Sequence, residues 1–139
     1  MNFEDCLKEG LIKEKKEAVY RVRKSIEIAL KFLRSAERNF EIQENETCVM
    51  VAYNSIFHSC RSLLFNKGYV EKSHFCLVMA LKFLYKEDIK LQDFLNSIDK
   101  IRFSRHEIQY TGKFSNKDEA KFVLDLAKEF LNYVRLRLK

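Results

Sequence analysis

The sequence predicts an all-α fold: an antiparallel up-and-down bundle of about five or six helices in a single domain over residues 1–139. Three observations carry that prediction. Proline is absent and glycine occurs only at Gly10, Gly68 and Gly112, so breakers are few and the helices are long. Apolar residues recur at three- and four-residue steps along most of the chain. No strand-period segment, internal repeat or low-complexity tract competes with them.

Residues 2 to 9 suit a short helix whose Phe3 and Leu7 pack back on the body, with Gly10 as its stop. From about Lys13 to Phe40 the residues Val19, Val22, Ile26, Ala29, Leu30, Leu33, Ala36 and Phe40 mark one face of a long amphipathic helix. Its other face holds Arg21, Arg23, Lys24, Glu27, Lys31 and Arg34, a pattern typical of a solvated surface. From about Glu46 to Asn66 little polar face remains, which places this helix in the middle of the bundle. Ser55, Ser59 and Ser62 form a strip of small side chains on it, where another helix can approach closely. Asn54, His58 and Arg61 are its polar exceptions. Asn66-Lys67-Gly68 ends it.

Ser73 is placed to cap the next helix, which runs to about Tyr85 with Leu77, Ala80, Leu81 and Leu84 inward. His74, in its first turn, reads as structural, bonding a neighbouring loop. A further helix begins near Asp88 and closes at Gly112. Ser115-Asn116-Lys117-Asp118 starts the last helix, with Ala120, Val123, Leu124, Ala127, Leu131, Val134 and Leu138 inward. A second stripe of Phe122, Leu126, Phe130 and Tyr133 exceeds what one flank of a small bundle must bury and hints at a partner surface.

With 47% hydrophobic and 33% charged residues the composition is that of a globular protein rather than a disordered one. The net charge of +6 permits contact with polyanions, yet lysines and glutamates are interleaved, so charge alone is a weak argument for nucleic acid. Cys6, Cys48, Cys60 and Cys76 make no paired C-x-x-C motif and no zinc-type spacing with the histidines. Reduced thiols in a cytoplasmic protein are the simpler account. The first ten residues lack the apolar core of a secretion signal, and no apolar run is long enough to span a bilayer. Neither secretion nor membrane insertion is expected.

Chemistry concentrates in Ile98-Asp99-Lys100-Ile101-Arg102-Phe103-Ser104-Arg105-His106-Glu107-Ile108-Gln109-Tyr110. Leu91, Phe94, Leu95, Ile98 and Ile101 form a buried stripe, and the next positions on it are Arg102 and Arg105. Charge on such a face is costly without a partner, a ligand or water. With His106, Glu107 and Tyr110 in the same two turns, this is the densest set of groups able to bind phosphate or move a proton. Emergence of the two arginines into solvent is the plain alternative. His58 is a candidate supporting residue, though a partly buried histidine more often serves structure.

Three stretches in order resemble the HEPN superfamily, small helical domains often found beside minimal nucleotidyltransferases. They are Ala52-Tyr53-Asn54-Ser55-Ile56-Phe57-His58-Ser59-Cys60-Arg61-Ser62-Leu63-Leu64, then Gly68-Tyr69 with Lys72-Ser73-His74, then Arg105-x-x-x-x-Tyr110. The last helix, with Asp118-Glu119-Ala120 and Ala127-Lys128-Glu129-Phe130-Leu131, resembles the family's closing helix. The resemblance covers about residues 13 to 138 and implies an antiparallel helical bundle, commonly a homodimer, that needs no metal or cofactor.

In HEPN ribonucleases an arginine and a histidine, separated by four to six residues, come from both subunits and line one cleft. Arginine stabilises charge on the scissile phosphate and histidine moves the proton of the attacking 2′-hydroxyl. The resemblance assigns Arg105 as that arginine; Arg102, on the same helix face, is the second candidate phosphate ligand. The matching histidine is absent: Tyr110 stands at the first permitted place, Thr111 and Gly112 at the others, and His106 directly follows Arg105. Counting from Arg102 to His106 is one residue short. Tyrosine for histidine exchanges an imidazole of reference pKa about 6.5 for a phenol of about 10, a poor general base near neutrality. Arg105 and Tyr110 also lie about 140° apart around a regular helix, so convergence needs a break near Gln109 or pairing across a dimer axis. His106 and Glu107 are the other candidates for proton transfer.

Some toxins of the family carry a tyrosine two residues past the motif histidine, which the partner nucleotidyltransferase modifies with AMP. Gly112 occupies that place, leaving Tyr110 as the candidate acceptor. The resemblance therefore implies a cytoplasmic protein of a toxin–antitoxin-like or defence pair with a nucleotidyltransferase, binding nucleotide or RNA phosphate, and the degenerate Arg-x4-Tyr motif leaves metal-independent endoribonuclease activity open. A non-catalytic helical module that binds protein or nucleotide is the alternative, and a third reading pairs both arginines with carboxylates for structure alone.

Overall fold

Six α-helices, a short 3-10 helix and one two-stranded sheet make up the chain, and the computed structural model describes all of residues 1–139. In order they are α1 (Phe3–Lys8), β1 (Ile12–Glu14), a 3-10 helix (Lys16–Arg21), α2 (Val22–Glu41), α3 (Asn45–Asn66), β2 (Tyr69–Glu71), α4 (His74–Leu84), α5 (Ile89–Thr111) and α6 (Lys117–Arg137). The fold is the predicted helical bundle. No helix is long and apolar enough to cross a membrane.

Helix α3 occupies the centre, packed by α2, α4, α5 and α6. Its near-continuous apolar surface requires that position, since water on any side would leave Val49, Ile56, Leu63, Leu64 or Phe65 exposed. The small-residue strip does what its spacing implies. Ser55, Ser59 and Ser62 are fully buried, and the Ser55 hydroxyl donates to the Ala29 carbonyl of α2 at 2.7 Å. The facing residues of α2 are Ser25, Ala29, Leu33 and Ala36, all buried, so two backbones approach over small side chains. Ser59 and Ser62 return their hydroxyls to backbone carbonyls of α3, leaving none of the three unsatisfied.

Two features depart from expectation before α2. The helix predicted from about Lys13 begins only at Val22, and Ile12–Glu14 instead pairs antiparallel with Tyr69–Glu71, Ile12 opposite Glu71. Three-residue strands are too short to show a period of two, which is why the pattern concealed them. Gly68, at φ +80°, makes the turn into β2, and its carbonyl accepts from the Lys15 N–H at 2.7 Å. Val19, counted in the predicted inward stripe, is largely exposed because the 3-10 segment does not continue the 3.6-residue phase of α2.

The cysteines supply the other correction. Cys6 of α1 and Cys76 of α4 form a disulfide, with Cα atoms 5.9 Å apart across 70 residues of sequence. Spacing along the chain carries no sign of that proximity, which arises because α1 packs on α4. Such bonds persist mainly in oxidising surroundings, so the free-thiol ground for a cytoplasmic setting is removed. Cys48 and Cys60 do remain thiols, and burial pushes Cys48 up to about 11 and Cys60 further up.

The remaining caps follow the sequence closely. The Ser73 hydroxyl accepts from the Cys76 N–H, and the Asp88 carboxylate accepts from the Leu91 N–H. Helix α5 ends at Gly112 in a left-handed conformation, φ +75°. Asn116, one residue past the expected serine, is the cap of α6, while the Ser115 hydroxyl donates to the Glu119 carboxylate. In the aromatic stripe of α6, Phe130 and Tyr133 pack on Phe94 and only Phe122 is left exposed.

Candidate functional site

The apolar stripe of α5 buries Leu91, Leu95, Ile98 and Ile101 against the body of the bundle. Arg102 and Arg105 continue it, half-buried, and the Nε atom of each is shut off from solvent without a hydrogen-bond partner. Neither side chain turns outward. The Arg105 guanidinium lies over the Tyr53 ring, Cζ 4.6 Å from its centroid, and Nη1 donates to the Gln109 side chain at 2.8 Å. Its Nη2 approaches His74 Nδ1 at 3.4 Å, a long contact. Arg102 lies 5.8 Å from the Phe75 ring centroid, and its Nε is 4.0 Å from Asp99, beyond hydrogen-bond length. Asp99 is instead held by Lys82 at 2.8 Å.

Each of the remaining walls has a local cause. Tyr53 is buried on α3, one turn before Phe57, so the two rings stand one above the other on the same helix face. His74 is the first residue of α4 and is set there by the Ser73 cap. Its ring stacks on Phe57 at 4.1 Å, and its Nδ1 lies 3.1 Å from the Tyr53 hydroxyl. One turn further along α3, Arg61 donates to Glu71 of β2 at 2.9 Å, which ties the sheet to the rim.

The contact with Arg105 favours one His74 tautomer. Guanidinium N–H groups only donate, so this contact assigns Nδ1 as the acceptor and places the hydrogen of the neutral ring on Nε2. Burial and then the positive charges of Arg105, Arg102 and Arg61 lower the His74 pKa to about 4, so the ring is neutral at pH 7. Burial likewise raises Tyr53 to about 12, with Arg105 opposing, so its hydroxyl keeps its proton. The cluster thus brings together two cations, a neutral imidazole whose Nδ1 is engaged by Arg105 and Tyr53, and a phenol donor, against the Tyr53 and Phe57 rings.

Other residues singled out from sequence stand elsewhere. Helix α5 is unbroken through Gln109, so Tyr110 does not swing round to Arg105. Tyr110 and His106 are both exposed and lie against each other at 4.7 Å, making no hydrogen bond to the cleft. The Glu107 carboxylate makes no ion pair or side-chain hydrogen bond; its carbonyl accepts from Thr111 Oγ1 and from the Gly112 N–H. His58 is stacked on Phe32 at 5.6 Å, its Nδ1 buried without a partner, and burial followed by Arg61 lowers its pKa. It belongs to the α2–α3 packing and makes no hydrogen bond to either arginine.

Sequence reasoning missed Tyr53 as a site residue and gave His74 a structural role. A signal for both was present: Tyr53, His74 and Arg105 come one each from three separate stretches singled out in the sequence, and those stretches meet here. No group of three His, Cys, Asp or Glu side chains is arranged to hold a metal ion. No curated protein matches the chain in sequence. A family model described as HEPN domain matches residues 22–137, which takes in α2 to α6 and every residue of the cleft.

Proposed function

The chain belongs to the HEPN domain family, and from that premise we propose that it binds RNA or nucleotide phosphate in the Arg105 cleft and acts as a metal-independent endoribonuclease. One observation carries this reading. The Arg105 guanidinium is half-buried and its side-chain partners, Gln109, His74 and the Tyr53 ring, are all neutral. A charge so placed is unfavourable until an anion joins it, and phosphate matches the planar fork of donors that arginine presents. Arg102 adds a second cation whose one acidic neighbour is already held by Lys82. This argues against the purely structural reading, in which carboxylates would surround both arginines.

Tyr110, exposed at the motif's second position, favours a second reading, a HEPN module that binds phosphate without turnover. Incubating a single-stranded RNA with the wild-type chain and with Arg105→Ala separates the two. Cleavage that Arg105→Ala abolishes supports the ribonuclease. Salt-dependent binding without cleavage supports the module, and equal behaviour of the two proteins refutes both.

The proposal extends to a homodimer and to a partner nucleotidyltransferase, in a toxin–antitoxin-like or defence pair. Exposure of the Tyr110 phenol leaves its oxygen open to an adenylylating enzyme. Intact mass after incubation with ATP and a cognate nucleotidyltransferase tests this, an unchanged mass counting against it.

A further inference from the structure

We propose that His74, at the first turn of α4, is the catalytic base of this cleft, taking the proton of a ribose 2′-hydroxyl whose neighbouring phosphate is held by Arg105 and Arg102. The inference rests on the reading that the cleft binds RNA, and it locates the imidazole that the α5 motif lacks on a different helix.

The geometry is specific. His74 Nδ1 lies 3.4 Å from Arg105 Nη2, so the ribose adjoining a phosphate held by that guanidinium falls within reach of the same nitrogen. The ring is clamped against Phe57 at 4.1 Å, and the Ser73 cap fixes the backbone that carries it. In the free protein Nδ1 faces the Tyr53 hydroxyl at 3.1 Å. A ribose hydroxyl bound at this nitrogen displaces the buried Tyr53 hydroxyl from it. The charged groups acting on His74 are Arg105 and Arg102 of α5 and Arg61 of α3, the last already paired with Glu71 of β2.

In the reaction, Nδ1 accepts the 2′-hydroxyl proton and the 2′-oxygen forms a bond to phosphorus. The bond from phosphorus to the 5′-oxygen of the next nucleotide breaks, and its electron pair goes to that oxygen, which takes a proton from water. The imidazolium then returns its proton to solvent. The products are a 2′,3′-cyclic phosphate and a 5′-hydroxyl, with no oxidation, metal or co-reactant. Free His74 is held near 4 by burial and the three guanidinium groups, which leaves it neutral but weakly basic. A bound phosphate offsets part of that positive charge and raises the basicity of the ring, so the base strengthens when substrate is present.

The test uses the full chain with a single-stranded RNA oligonucleotide, and an all-2′-deoxy oligonucleotide of the same sequence to measure binding without cleavage. His74→Ala is expected to lower kcat on the order of 100-fold while binding of the deoxy oligonucleotide stays within about threefold, and added imidazole should restore on the order of tenfold of the lost rate. In the wild type, the acid limb of kcat/KM should lie at lower pH than that of kcat, since the first reports the free ring and the second the ring beside phosphate. His74→Ala cleaving at the wild-type rate while Arg105→Ala is inactive overturns the assignment of His74 and leaves the ribonuclease reading intact. A loss in His74→Ala that imidazole does not restore, matched by an equal loss of binding, also overturns it and makes the residue structural. A wild-type chain that cleaves no RNA refutes the ribonuclease reading and His74 with it.

Discussion

His74 sits where burial and three guanidinium groups all oppose a second positive charge. Its folded pKa of about 4 lies below the unfolded reference of about 6.5, so across that interval the unfolded chain binds more protons and stability falls as pH drops. His74→Gln removes that linkage. Thermal melts between pH 7 and pH 4 should show a smaller loss for the variant than for wild type, the residual slope including His58, which burial shifts the same way. A wild-type slope no steeper than the variant's would contradict the placement. Asp88 behaves oppositely. Burial alone would raise its carboxyl, but donors from Tyr133, the Leu91 backbone and Arg137 hold it below the usual carboxylate range. Its contribution is present above the unfolded-state value and is lost as pH falls through the lower folded one. Asp88→Ala removes the α5 cap and orphans Tyr133 and Arg137, and should cost about 2 kcal/mol in denaturant titrations at pH 7.

At the scale of elements, the α2–α3 contact depends on small side chains from both helices. Ser55 is fully buried against the α2 backbone, so Ser55→Leu forces the helices apart and should destabilise by about 1 to 3 kcal/mol. An unchanged melting temperature would mean that the two backbones do not approach there. This contact was legible in advance, because three serines on an otherwise apolar helix have few uses other than close packing. The α5 stripe was legible for the same reason: its period brings Arg102 and Arg105 onto the face that buries Ile98 and Ile101. The start of α2 was not. Residues 13 to 21 carry helix-compatible composition, and what diverts them is pairing with Tyr69–Glu71, a segment more than fifty residues away in sequence.

For the molecule as a whole, the disulfide between Cys6 and Cys76 ties the N-terminal helix to the helix that carries His74. Closing 70 residues of chain limits the unfolded ensemble, and on the chain-entropy account this contributes about 4 kcal/mol. Unfolding with and without a strong reductant should therefore show a markedly lower midpoint for the reduced chain, and Cys6→Ser should match it. Because both sulfurs are fully buried, reduction should also be slow under native conditions and quicken in denaturant. Coincident midpoints in the two states would show that the bond adds nothing to the native fold.

The helical bundle, the central place of α3, the cap at Ser73 and the glycine stops were all determined by the sequence alone. Each depends on residues within a few positions of one another, where periodicity and backbone preference act directly. Tertiary structure alone decided three things: the strand pair, the cysteine bridge, and the meeting of Tyr53, His74 and Arg105. These join segments separated by 21 to 70 residues, and their partners are chosen by how helices stack around α3 rather than by any local pattern. That stacking gives Arg105 an imidazole from α4, while the regular turn of α5 holds Tyr110 away from it.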